Sequence, residues 1–144
     1  MVRARVLVVE DDEHLLKLIQ DILAAHGYAM SAAPHPDVVL DYARRDMPDL
    51  FLIDIMLPKQ SGIEVADRLW LNEFGGTPMI AFSASTVMRD LARHTHLFCE
   101  VLPKPFDLTQ FLDAVERAIQ RQGPCGRVAS QRAAAGLDGL VGAS

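Results

Sequence analysis

Short apolar runs alternate along the chain with amphipathic stretches. The runs cover Arg5–Val9, residues 28–32, 50–53 and 79–82, and more weakly 101–102. Three of them, VLVV, LFLI and MIAF, are apolar without alternation, as strands of a parallel sheet covered on both faces read. Between them, Leu15, Ile19, Ile22 and Leu23 follow helical spacing, with Gly27 placed to cap the C-terminus. Val38, Val39 and Tyr42 repeat that spacing after Pro36, which suits a first helical turn. Ser61 stands three residues before Glu64, a capping-box spacing ahead of Ile63, Ala66, Leu69 and Trp70. Asp107 opens the clearest stripe, Leu108, Phe111, Leu112, Val115 and Ile119; Thr86–Thr95 has the weakest helical pattern.

Five βα units in succession predict a doubly wound α/β domain, because parallel crossovers are right-handed and each strand needs its covering helix. The 144 residues suit one domain. The domain is expected over residues 1–122. Residues 123–144, rich in Gly, Ala and Ser, read as a flexible tail with one short helix over 131–135.

Composition narrows the function classes. Half of the residues are hydrophobic and 23% are charged, which describes a soluble surface around a large core. The net charge of -5, with Lys and Arg scattered, argues against a nucleic-acid surface. No apolar run has the length to cross a bilayer or act as a signal peptide. Cys99 and Cys125 show no framework spacing and read as free thiols, so the expected location is cytoplasmic, without nucleic acid or membrane as partner.

The chemistry sits at strand ends, where ligands of such sheets bind. The first strand runs into Glu10 and Asp11, the third into Asp54, the fourth into Ser83, and the fifth leads to Lys104. Clustered carboxylates repel unless a cation joins them. Mg²⁺ is the natural choice, since it takes one or two carboxylates with waters and phosphate oxygens. A phosphoryl group on a carboxylate would give Lys104 and Ser83 equatorial oxygens to neutralise and bond. Taken singly each residue has a duller reading. Asp12 and Glu13 suit first-turn acids, Ser83 a helix cap, and Lys104 a solvated surface lysine. Asp54 is the exception, because a carboxylate ending LFLI is costly to bury without a partner.

Four segments, VLVVEDDE, LIDIMLPKQSG, FSAS and LPKPF, stand in one order and spacing. In these the chain resembles the receiver domains of bacterial two-component response regulators, over about residues 4–121. The resemblance implies a flavodoxin-like five-stranded sheet of order 2-1-3-4-5 with five helices. It also implies that Asp54 is the phosphoacceptor, that Asp11 and Asp54 bind Mg²⁺, that Glu10 holds a metal-bound water, and that the Met56 backbone carbonyl completes the set. Ser83 and Lys104 would bind the phosphoryl group, Lys104 pairing with Asp54 beforehand, and the Lys104–Pro105 peptide would be cis. The implied partners are a histidine kinase or phosphotransfer protein and a separate output protein, with the chain a monomer or weak homodimer. The implied output is a change of the face built by the fourth helix, fifth strand and fifth helix.

The chain departs from the family at Val101, where receivers usually carry Tyr or Phe. Valine has no ring to swing, so the switch is expected to fall on residues 86–98. Phe98 is read there either as an exposed contact for a partner or as a cap on the core. Competing readings are an aspartyl-phosphate phosphatase or phosphotransferase, a flavin-binding carrier, and a binding-only pseudo-receiver. The first would want a second Asp at Met56, and the second a phosphate loop where this chain has EDDE; in the third the chemistry would be lost, whereas here every chemical position is filled. His94, His96 and Cys99 suggest a metal, but no fourth ligand stands near them.

Overall fold

The computed structural model describes residues 2–121. Five parallel strands, β1 (Arg5–Val9), β2 (Ala29–Ala33), β3 (Leu50–Asp54), β4 (Met79–Ser83) and β5 (Glu100–Pro103), form one sheet in the order β2-β1-β3-β4-β5. They alternate with α1 (Glu13–Ala25), α2 (Val39–Asp46), α3 (Gly62–Leu71), α4 (Thr86–Thr95) and α5 (Leu108–Gln120). A single 3₁₀ turn, Pro36–Val38, leads into α2. The fold is therefore the flavodoxin-like one.

The unbroken apolar runs are explained by two cores, one on each face. Successive strand residues point to opposite sides. Leu7, Val9, Phe51, Ile53, Met79 and Ala81 pack with residues of α2, α3 and α4. Val6, Val8, Leu50, Leu52, Ile80 and Phe82 pack under α1 and α5, against Ile19, Leu23, Phe111 and Val115. Trp70, on the apolar stripe of α3, is part of the first core.

Helix starts follow from side-chain caps. Asp12 accepts from the His14 and Leu15 N–H groups, so it is the N-cap of α1 and not a first-turn acid. Ser61, Ser85 and Asp107 cap α3, α4 and α5 in the same way. Gly27 has φ +86° just past α1, the left-handed conformation that ends a helix. The helix over Thr86–Thr95, weakest in the sequence pattern, is present.

Some expectations need correction. Strands β3 and β4 end on Asp54 and Ser83, as expected, and these polar residues still pair in the ladder with Phe82 and Pro103; β2, however, is shifted by one residue. Phe98 is not an exposed contact. His96 takes a left-handed turn (φ 58°), and the Cys99 N–H bonds to the Met79 carbonyl, which folds Leu97 and Phe98 into the core. Phe98 is only 8% exposed. The tail and its short helix lie outside the described residues, as does Cys125.

Candidate functional site

The carboxyl ends of β1, β3, β4 and β5 converge on one mouth. Glu10 follows β1 and is buried. Its Oε2 accepts the N–H groups of Asp11 (2.9 Å) and Asp12 (3.1 Å), while Oε1 accepts from Lys104 Nζ at 2.7 Å. Asp54 ends β3 and is also buried. Its Oδ1 accepts the Met56 N–H (3.0 Å) and its Oδ2 accepts from Lys104 Nζ at 3.2 Å. Lys104 thus bridges two carboxylates, and its shorter bond is to Glu10 rather than to Asp54. Asp11 is exposed beside them.

Ser83, fully buried, ends β4. Its Oγ accepts the Ser85 N–H at 3.0 Å, and its carbonyl accepts the Lys104 backbone N–H at 3.1 Å. The Lys104–Pro105 peptide is cis. The ammonium also lies 5.2 Å from the centre of the Phe82 ring.

Gly62 is a site residue that the sequence pattern did not single out. A Cβ there would run into the Asp54 carbonyl oxygen and sit 2.8 Å from Asp54 C and Ile55 Cα, all of it backbone. Only glycine lets the start of α3 press against the end of β3, where the Gly62 N–H bonds to the Ile55 carbonyl at 2.8 Å. The close approach is tertiary, so its signal in the sequence is limited to the glycine after Ser61.

The charges do not balance. Three carboxylates and one ammonium leave two negative charges when all are ionised. Burial pushes the Glu10 carboxyl up to about 7, with the Asp54 charge adding to the rise and the hydrogen bonds from Lys104 and the Asp12 N–H opposing it. Burial lowers Lys104, but its hydrogen bond to Glu10 and the two nearby carboxylates outweigh this and leave it above its ordinary value. One ligand atom each from Glu10, Asp11 and Asp54 lies within 4.8 Å of the others, the single such group among the described residues. An all-oxygen, net-negative set fits a hard divalent cation such as Mg²⁺. Other sequence candidates lie beside the site or away from it. Met56 is beside Asp54 with an exposed side chain, Val101 is half-buried opposite Ala81, and the His94 ring bonds to the Asp90 carbonyl at 2.7 Å.

Residues 6–116 match the family of the response regulator receiver domain. The polar-differentiation response regulator DivK of Brucella anthropi is 36% identical over 115 residues, covering 77% of this chain and 92% of the relative. The DivK of Brucella ovis matches equally in identity and coverage. Among solved structures, a putative response regulator from Chloroflexus aurantiacus superposes with a TM-score of 0.76 at 21% identity, over 82% of this chain and 98% of that one. The receiver domain of NtrX from Brucella abortus gives 0.75 at 22% identity, over 81% and 99%. These two likenesses concern the fold alone, and the site and the family match agree with it. The chain belongs to the receiver-domain family of response regulators.

Proposed function

We propose that Asp54 accepts a phosphoryl group from the phosphohistidine of a histidine kinase or phosphotransfer protein, and that the modified domain passes this state on. The observation that carries the reading is the meeting of buried Asp54 with Glu10, Asp11 and Lys104 at one mouth. In the transfer, a carboxylate oxygen of Asp54 attacks phosphorus, the P–N bond to the donor imidazole breaks, and an acyl phosphate forms. The Met56 N–H and Lys104 fix the orientation of the attacking carboxylate. Lys104 then transfers its contact to a phosphoryl oxygen, and the Ser83 hydroxyl donates to another. Asp11 and Asp54, with the Met56 carbonyl, would hold Mg²⁺ directly and Glu10 would hold it through water. When bound there, Mg²⁺ supplies charge neutralisation at the phosphoryl oxygens.

An apolar groove opens beside Lys104, lined by Leu15, Leu18 and Ile22 of α1 and by Pro105, Phe106 and Leu108. It supports docking of the protein that donates the phosphoryl group. On the output side, Val87 and Leu91 of α4 are 68% and 52% exposed, one helical turn apart. They, and not Phe98, offer the apolar contact on the α4-β5-α5 face. No independent turnover of a substrate is part of this reading. Among the described residues, no helix is long and apolar enough to cross a membrane.

Borohydride reduction tests the assignment. It converts an aspartyl phosphate to homoserine, and peptide mass mapping after treatment with acetyl phosphate and Mg²⁺ should place that change at residue 54. Conversion at Asp11, or at no aspartate, would contradict it.

A further inference from the structure

Arg89 reaches back from the first turn of α4 to the end of β4. Its Nη1 donates to the Ser83 carbonyl at 2.9 Å, and its Nη2 to Thr86 Oγ1 at 3.3 Å. These acceptors are neutral, and the side chain is half-buried. The Ser83 carbonyl also accepts the backbone N–H of Lys104, whose ammonium spans Glu10 and Asp54. One carbonyl therefore joins α4, β4 and the residue that holds the acid cluster.

We propose that Arg89 is a positioning residue that ties α4 to the Ser83 carbonyl and holds the resting arrangement of the β4–α4 loop. The inference rests on the reading of Asp54 as phosphoacceptor. In the resting arrangement the Ser83 hydroxyl oxygen is engaged by the Ser85 N–H at 3.0 Å. That bond holds the hydroxyl oxygen in the β4–α4 loop and leaves its proton free, so drawing Ser83–Ala84 toward β3 would bring the hydroxyl to donate to a phosphoryl group on Asp54. The Arg89 guanidinium anchors the same residue by its carbonyl, from a helix that is capped by Ser85 and pinned by buried Ala92. A bond made in one state and weakened in the other biases the equilibrium between them. With Val101 half-buried and stiff at its neighbouring position, this strap couples α4 to the site through main chain and a charged side chain.

The test compares wild type, Arg89→Met and Arg89→Lys in a titration with beryllofluoride and Mg²⁺, alone and in a Ser83→Ala background. Amide hydrogen exchange over residues 84–92 of the unliganded proteins is followed in parallel. Arg89→Met keeps the aliphatic stem and should bind beryllofluoride about fivefold more tightly, as expected for one hydrogen bond that is weakened, not wholly lost, in the activated state. Exchange at 84–92 should rise, Arg89→Lys should fall between, and the gain should vanish when Ser83 is alanine. A role in stability alone would alter exchange without changing affinity. If wild type binds but Arg89→Met binds equally, or keeps its gain without the Ser83 hydroxyl, the inference is overturned while the phosphoacceptor reading stands. If wild type takes no beryllofluoride, that reading fails, and this inference with it.

Discussion

Glu10 carries a testable electrostatic signature. Its folded pKa of about 7 lies above the ordinary 4.5, so the native state holds that proton more tightly than the unfolded chain does. A raised acid contributes in the sense opposite to a salt-bridged one. The metal-free protein should be relatively most stable below the ordinary value and lose stability as pH rises from about 4.5 through about 7, by at most about 3 kcal/mol. A divalent cation competes for the same carboxylates, so Mg²⁺ should stabilise the fold more at pH 8 than at pH 5. Thermal melts across that range, with and without Mg²⁺, measure both effects. Glu10→Gln should flatten the metal-free profile; an unchanged slope in that variant would assign the pH dependence elsewhere. The acids and the lysine were legible as a group because each follows an apolar run in the sequence. The bond from Lys104 to Glu10 was not, since its partners are far apart in the chain and only the fold sets which carboxylate is nearer.

The placement of α3 depends on a single missing side chain. Gly62→Ala puts a Cβ against backbone at the end of β3, and backbone there cannot yield without moving Asp54 itself. The variant should lose about 2 kcal/mol in urea unfolding, typical of overpacking, and lose response to Mg²⁺ as well. A variant of undiminished stability would show that α3 can shift without cost. The same contrast explains what the apolar pattern revealed. Strands covered on both faces and helices with strong stripes were readable because burial dictates their composition. The bounds of β2 were less exact, because its residues are only partly buried and leave a weak apolar signal. Phe98 was ambiguous for a tertiary reason, as its direction is set by the left-handed turn at His96 and the bond from Cys99 to Met79. The four caps differ in kind. Asp107 and Ser61 could be recognised by spacing, whereas Asp12 hid among neighbouring acids and was read only as a favourable charge.

On the scale of the molecule, two buried layers pack the two faces of the sheet whose carboxyl edge carries the site. Beside it, α1 and the β5–α5 loop leave an apolar groove, and α4 presents Val87 and Leu91 to solvent. In the proposed reading, input and output have separate faces, joined through Lys104, Ser83 and Arg89. All of this depends on Asp54 as the acceptor, and intact mass spectrometry after incubation with acetyl phosphate addresses that most directly. With Mg²⁺ the wild type should gain the mass of one phosphoryl group, and with chelator it should gain little. Asp54→Asn, which keeps the shape and removes the anionic nucleophile, should gain none under either condition. A phosphoryl adduct on Asp54→Asn at the wild-type level, or a wild type that takes none with Mg²⁺ present, would contradict the account.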